Sequence, residues 1–249
     1  MKRVILATFF LAFTSNAISQ DIELPHTLSN GSVADADEVM ANFNALMDGV
    51  NTIVRKDDAL YQTANGYEAL LNTTTGLGNT AVGYWALRAN NTGESNTASG
   101  LGALANNTEG IRNTASGVYA LFGNTTGNYN TASGFYALLG NTTGEVNTAS
   151  GEFALARNTT GNYNTASGVQ ALGGNTTGNY NTAIGVAADV GAGDLENATA
   201  IGYGATVNAS NTVQIGNTDV KEVRTSGTFF SGGVQVTSDA RLKEDITVV

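Results

Sequence analysis

The chain has 249 residues, including 31 Gly, 29 Asn and 33 Thr, with one His, one Trp and no Cys. The lack of Cys excludes a disulfide framework, a Cys-based zinc site and a cysteine nucleophile, and a single His argues against a His-rich metal centre or a Ser-His-Asp triad. A formal net charge of −10 argues against a nucleic-acid partner, because phosphate contacts need clustered Lys and Arg.

The N-terminal segment, 1–19, has the pattern of a secretory signal peptide. A positive pair at residues 2–3 precedes an apolar run at residues 4–13, and small and polar residues follow. We expect cleavage after Ala17 or Ser19, so that the mature chain is secreted or carried to the cell surface. No later segment reaches the roughly 18 apolar residues of a transmembrane helix, and no membrane-spanning segment is expected.

Residues 20–32 are interpreted as a linker, and residues 33–57 have helical periodicity. Apolar residues alternate there at spacings of three and four, as in a coiled-coil heptad. They are Ala36, Val39, Phe43, Leu46, Val50 and Ile53. We therefore predict a short coiled-coil helix over 33–57 that associates with other copies, although an amphipathic helix packed on its own domain would have the same spacing.

The centre of the chain is a repeat whose motif, Asn-Thr-Ala, returns at every seventeenth position. The motif recurs without insertion, and a glycine closes each copy. It begins at Asn79, Asn96, Asn113, Asn130, Asn147, Asn164 and Asn181, with degenerate copies at Gln62 and Ala198. A disordered chain would tolerate drift in this register, so the period predicts an ordered repeat fold.

Seventeen residues suit one coil of a β-solenoid with two strands of about five residues and two turns. Strand alternation in Asn-Thr-Ala-Ser-Gly places Ala on the inner face and Thr and Ser on the outer one. We interpret the Asn, Thr and Gly residues as belonging to the turns and the outer face. At about 4.8 Å per coil, nine coils would form a rod of roughly 43 Å.

A second apolar segment in each unit ends in Ala-Leu, with aromatic residues such as Trp85, Tyr119, Tyr136 and Phe153 nearby. This Leu row and its aromatics are more apolar surface than a slender roll buries easily. A contiguous apolar stripe on an exported protein usually marks an interface, so we predict homo-oligomerisation. A wider monomeric roll that buries the stripe itself is the alternative.

Repeats of the form Asn-Thr-Ala-x-Gly-x-x-Ala-Leu that close in Ala200-Ile201-Gly202-Tyr203-Gly204-Ala205 resemble the head of YadA-type trimeric autotransporter adhesins. The final step, from Gly202 to Gly216, is three positions shorter than the regular one and fits that family too. The resemblance covers residues 60–217 and does not extend to autotransport. It implies an all-β fold, a left-handed parallel β-roll in a homotrimer displayed at a bacterial surface.

Residues 218–237 are interpreted as a connector, and residues 238–249 carry a second resemblance. The run from Ser238 to Ile246 is similar to the opening of the endosialidase-type intramolecular chaperone of phage tail spikes and fibres. That family implies self-cleavage before Ser238, with Ser238 as nucleophile and Lys243 as base. Six residues follow Lys243, so we interpret the pair as an inert stub unless the chaperone domain is completed downstream.

The predicted function is therefore non-enzymatic, with no cofactor and no metal: a trimeric fibre or adhesin-like head that contacts a host surface, matrix protein or glycan at several points. A tail-fibre-like protein matured by self-cleavage, and an ice- or glycan-binding β-solenoid, are the alternatives. Asn-x-Thr sequences such as Asn124-Thr125-Thr126 match a glycosylation acceptor, but the repeat alone explains them. Asp189 replaces the Leu of the repeat and suggests that the regular roll is ending.

Overall fold

A computed structural model describes residues 54–55, 60–223, 229–231 and 234–236, and these residues form an all-β structure without a helix. Its strands are β1 (Val54–Arg55), β2 (Thr63–Asn65), β3 (Thr80–Val82), β4 (Thr97–Ser99), β5 (Thr114–Ser116), β6 (Thr131–Ser133), β7 (Thr148–Ser150), β8 (Thr165–Ser167), β9 (Thr182–Ile184), β10 (Asp189–Val190), β11 (Thr199–Ile201), β12 (Thr206–Val207), β13 (Val213–Ile215), β14 (Phe229–Ser231) and β15 (Val234–Val236).

The main sheet stacks one strand from each coil, in the order β1 to β9, then β11 and β13. From β2 to β11 every parallel pairing joins equivalent positions of successive repeats, so that Thr97 lies opposite Thr114 and Ala98 opposite Ala115. The last step is shorter and pairs Thr199 of β11 with Val213 of β13. The predicted parallel β-solenoid of nine coils is confirmed, and so is its shorter final coil.

Each regular strand has only three residues, and its central Ala is buried between exposed or half-buried neighbours. The predicted inward Ala row and outward Thr and Ser are therefore confirmed. The prediction of two five-residue strands per coil is wrong, because turns replace the second strand in the regular coils. A two-residue strand appears in this position only as β10 and β12, which pair with each other.

The turns on this second side place the Leu row inside the roll. Trp85 and Leu87 have φ values of 62° and 51°, and the same left-handed pair recurs in most coils. The backbone N–H of Leu87 donates to the carbonyl of Ala103 in the next coil (3.0 Å), and the Leu87 side chain is fully buried. A left-handed residue costs about 1–2 kcal/mol, so the pair costs about 2–4 kcal/mol. Burial of the Leu (roughly 1.5–3 kcal/mol) and the hydrogen bond to the next coil (about 0.5–1.5 kcal/mol) together offset this strain.

The Leu row therefore cannot be the exposed stripe that we predicted. All six regular members have no exposed surface, because each coil buries its own Leu between those of its neighbours. They are Leu87, Leu104, Leu121, Leu138, Leu155 and Leu172. Only the neighbouring aromatics remain partly at the surface.

Two Asn residues per coil are also buried, which corrects their assignment to turns and the outer face. The Oδ1 of Asn96 accepts the backbone N–H of Asn113 (2.9 Å), and the Nδ2 of Asn113 donates to the carbonyl of Gly127 (2.8 Å). A second ladder links Asn124 Nδ2 to Asn107 Oδ1 over 2.8 Å. The core is so thin that backbone N–H and carbonyl groups lie inside it and need hydrogen-bond partners. The Asn ladders supply these partners, which is why Asn rather than an apolar residue recurs there.

The glycine that closes each motif permits close stacking of the coils. Gly134 has a φ of 136°, and a Cβ added to it would lie 2.6 Å from the carbonyl oxygen of Gly151 in the next coil. The predicted positive φ of this glycine row is confirmed. No other residue fits both the backbone conformation and the spacing.

The C-terminal boundary of the predicted helix is wrong, because Val54–Arg55 forms β1 and pairs antiparallel with β2. The first strand of a stack has unpaired backbone N–H and carbonyl groups at its open edge, and β1 provides hydrogen-bond partners for some of those of β2. The rest of that helix (33–53), the signal peptide, the linker (20–32) and residues 238–249 lie outside the described residues. The left-handed sense of the roll and its trimeric state stay predictions.

Candidate functional site

The strand face consists of the outward side chains of β2–β9, β11 and β13, namely the first and third residue of each strand. In the coils with the sequence Thr-Ala-Ser these side chains are exposed Thr and Ser, aligned one above another by the register of the repeat. None of the outward residues of these strands is charged. All seven charged residues between Asn79 and Gly185 lie elsewhere on the coil: Arg88, Glu94, Glu109, Arg112, Glu145, Glu152 and Arg157.

The strand face becomes apolar towards its C-terminal end. Ile184, Ile201, Val213 and Ile215 replace Thr or Ser there and are between 37% and 62% exposed. They belong to three successive strands of one sheet, so their side chains form one patch. Contiguous exposed apolar side chains are typical of interaction surfaces.

A column of aromatic rings runs along the neighbouring turn side. Tyr119 stacks on Tyr136 at 5.5 Å between ring centroids, and Tyr136 stacks on Phe153 at 5.2 Å. The ring spacing follows the rise of the coil, because each ring projects from the same position of its own repeat. In the next coil Gln170 takes this position, so the column ends at Phe153.

A depression of about 310 Å³ lies beyond the end of this column. Phe153, Arg157, Gln170 and Asp189 line it together with small residues. The two carboxylate oxygens of Asp189 each accept the backbone N–H of Gly174 at 3.0 Å, and Oδ1 also accepts that of Val190 at 2.8 Å. Burial raises the pKa of Asp189 above the ordinary value of 3.8, and these N–H donors oppose that shift.

Sequence reasoning found no position that suggested a pocket, so it missed this depression. Three signals were present in the repeat phase: Gln170 in an aromatic position, the pair Gly173-Gly174, and Asp189 in place of Leu. The regular coil ends at Asp189, as predicted, because the turn side becomes the strand pair β10 and β12 there and the last step is shorter. The main sheet still continues through β11 and β13, and the buried Val190 pairs with Val207.

The Asn-x-Thr acceptor at Asn124 is not accessible in the folded roll. Asn124 has no exposed surface, and its Nδ2 is bonded to Asn107 and to the carbonyl of Gly127 (2.9 Å). The equivalents that also match Asn-x-Thr have no exposed surface either: Asn90, Asn141, Asn158 and Asn175. Glycosylation at these positions is therefore incompatible with the ladder.

Ser238 and Lys243 lie outside the described residues, so the structure neither brings them together nor separates them. Within residues 60–223, no group of three acidic or His side chains is close enough to hold a metal ion. A helix long and apolar enough to cross a membrane is also not found in the described part of the chain.

Comparisons with known proteins do not indicate a function, so an argument about function depends on these surfaces. The chain gives no match to a protein-family model and no significant match to a curated protein.

Proposed function

We propose that this chain is the head of an exported, homotrimeric surface fibre that makes multivalent contacts with a host surface, a matrix protein or a glycan. The observation that supports the proposal best is the uncharged strand face. In a protein with a net charge of −10, an outer face that lacks charge over nine coils can be covered without burying an unpaired ion.

The arrangement that uses this face is three parallel rolls around a common axis. Closed rotational symmetry brings the same face of each copy to the axis, so each Thr or Ser row meets its own equivalents. The apolar patch at Ile184, Ile201 and Ile215 adds burial at one end of the rod. The other sides of the coil, which carry the charged residues, then face solvent and remain accessible to ligands.

The segments that precede and follow the roll fit the same proposal. A signal peptide at residues 1–19 supplies export, and a coiled coil at the N-terminal side of the roll would hold three copies in register. The resemblance to YadA-type heads supports the trimer and the left-handed sense of the coil. The motif at Ser238 and Lys243 supports the alternative of a tail-fibre-like protein, matured by self-cleavage where a complete chaperone follows.

Native mass spectrometry of the purified chain tests the trimer. We expect a mass of three chains that persists on dilution to micromolar concentration. A mass of one chain at every concentration would contradict the proposal. Loss of residues 238–249 after purification, read from the mass of the denatured chain, would show self-cleavage, whereas an intact C-terminus would agree with an inert stub.

A second candidate function, ice binding, uses the same strand face. Exposed Thr and Ser rows at the spacing of the coils, as at Thr97 and Ser99, form a flat array of hydroxyl groups that can order water. The two functions exclude each other, because a trimer covers the array. Thermal hysteresis by a monomeric chain would favour ice binding, whereas a trimer without hysteresis would exclude it.

A further inference from the structure

The end of the aromatic column leaves one ring face without a stacking partner from the repeat. Phe153 stacks on Tyr136 on one side at 5.2 Å, but the next coil presents the Gln170 amide and the one after it the methyl group of Ala187. The ring lines the depression and is half-buried. An aromatic face at the edge of a concave site is a platform for the apolar face of another ring.

Two glycines keep the space beside this platform open. Gly173 and Gly174 occupy positions where the preceding coils carry Phe122-Gly123, Leu139-Gly140 and Ala156-Arg157. A Cβ on Gly174 would approach Asp189 Oδ2 to 3.1 Å. The side chain absent at Gly173 and the aromatic ring absent at Gln170 leave room for the volume of about 310 Å³. This volume lies at the lower end of the range for ligand pockets, which begins at about 300 Å³.

Polar groups of three kinds surround this space. Asp189 Oδ2 accepts one backbone N–H, which leaves this oxygen able to accept further hydrogen bonds. Arg157 supplies N–H donors only, and the Gln170 amide supplies both donors and an acceptor. Arg157 and Asp189 line the depression without forming an ion pair with each other. One positive and one negative side chain suit an uncharged ligand with several hydroxyl groups.

We propose that this depression binds one pyranose ring of a glycan. The apolar face of the sugar would lie on Phe153, while its hydroxyl groups would donate to Asp189 and accept from Arg157 and Gln170. The depression lies on the turn side, away from the strand face, so trimerisation would leave it open. This site would supply the glycan contact of the proposed function. It rests on that function only for the number of sites, since a trimer would present three copies and gain avidity.

The test uses the full mature chain and a panel of methyl glycosides of common hexoses and N-acetylhexosamines. Each glycoside is added at about 10 mM, which saturates a site with a Kd near 1 mM. We expect at least one to shift the amide resonances of Gly174 and Val190 in two-dimensional NMR. The variant Gln170→Tyr should abolish this shift, because the added ring continues the column over Phe153 and fills the depression.

Two controls separate binding from folding. Glu68→Tyr places the same ring at the equivalent position of the first coil, and it should leave the titration unchanged. Arg157→Ala should weaken binding about tenfold, whereas Arg112→Ala, on another side of the coil, should not. Tyr136, Tyr163 and Tyr180 already adopt positive φ values in this roll, so a Tyr is compatible with the backbone at residue 170.

The proposal is overturned if no glycoside of the panel shifts these resonances, or if Gln170→Tyr binds as tightly as the unaltered chain. Native mass spectrometry of the same samples keeps the two proposals distinct. A monomer that binds a glycoside would contradict the trimer and support the site. A trimer that binds no glycoside would support the trimer and contradict the site.

Discussion

The Oδ1 atom of Asn96 accepts two hydrogen bonds from Asn113 in the next coil, one from the backbone N–H at 2.9 Å and one from Nδ2 at 3.2 Å. Both side chains are completely buried. One residue type therefore satisfies the backbone of the following coil and also binds its own equivalent there. The pair is the unit that repeats along the roll, and it is the feature that most restricts which residues the repeat can contain.

Replacing Asn113 with Ala should lower the free energy of unfolding by about 2–4 kcal/mol, because the backbone N–H of Asn130 loses its acceptor inside the roll and a small cavity forms. Asn106→Ala is the control, since Asn106 is exposed, and it should change the free energy by no more than about 0.5 kcal/mol. Urea unfolding followed by circular dichroism compares the two. Equal losses would show that the ladder does not stabilise the roll.

The stacking glycine should tolerate no side chain. Gly134→Ala puts a Cβ 2.6 Å from the Gly151 carbonyl oxygen at a φ of 136°, and we expect a loss of at least about 3 kcal/mol. Gly204→Ala is the matched control, because its φ is 62° and its nearest neighbouring atom is 3.7 Å away. Its loss should be about 1 kcal/mol, the cost of a left-handed Ala. Thermal unfolding of both variants measures the two losses, and equal losses would contradict the role of Gly134 in close stacking.

A charge on the strand face should separate the proposed trimer. Ser133→Glu would bring three carboxylates together around the axis in a central coil, where like charges repel and lose water. Thr143→Glu adds the same charge to an exposed position on another side of the coil and should leave the trimer intact. Native mass spectrometry and analytical ultracentrifugation measure the outcome. A trimer that survives Ser133→Glu would place the interface on a different face.

Asp189 should make the roll less stable as the pH rises from acid. Its pKa is raised in the folded state, so folded chains hold the proton more tightly than unfolded ones between the ordinary value of 3.8 and the higher folded value. The contribution of Asp189 to stability is therefore largest below 3.8 and falls as the carboxyl ionises. Asp189→Asn keeps an oxygen acceptor for the N–H groups of Gly174 and Val190 and should flatten this part of the curve. Urea midpoints at several acidic pH values measure it, and identical slopes in both proteins would rule out this role for Asp189.

Prediction from sequence succeeded where a property follows from periodicity and failed where it depends on contacts between coils. Ala98 and its equivalents were placed inside correctly, because alternation along a strand is a local property. Leu104 was assigned to an exposed stripe because its inward direction depends on a left-handed backbone that no local preference of Leu favours. The depression was missed because Phe153, Gln170 and Asp189 come from three different coils and meet only when these stack.

The sequence alone determined the period, the parallel stacking, the short last coil and the side of each strand that faces inward, since in-phase repetition gives every copy of a residue the same surroundings. Only the tertiary structure decided that Asn belongs in the core. A polar amide is costly to bury by itself, and becomes favourable when an identical amide lies one coil above it and the backbone of the next coil binds its oxygen. The same stacking decided where the aromatic column stops, and hence where the roll leaves a ring face exposed beside a carboxylate.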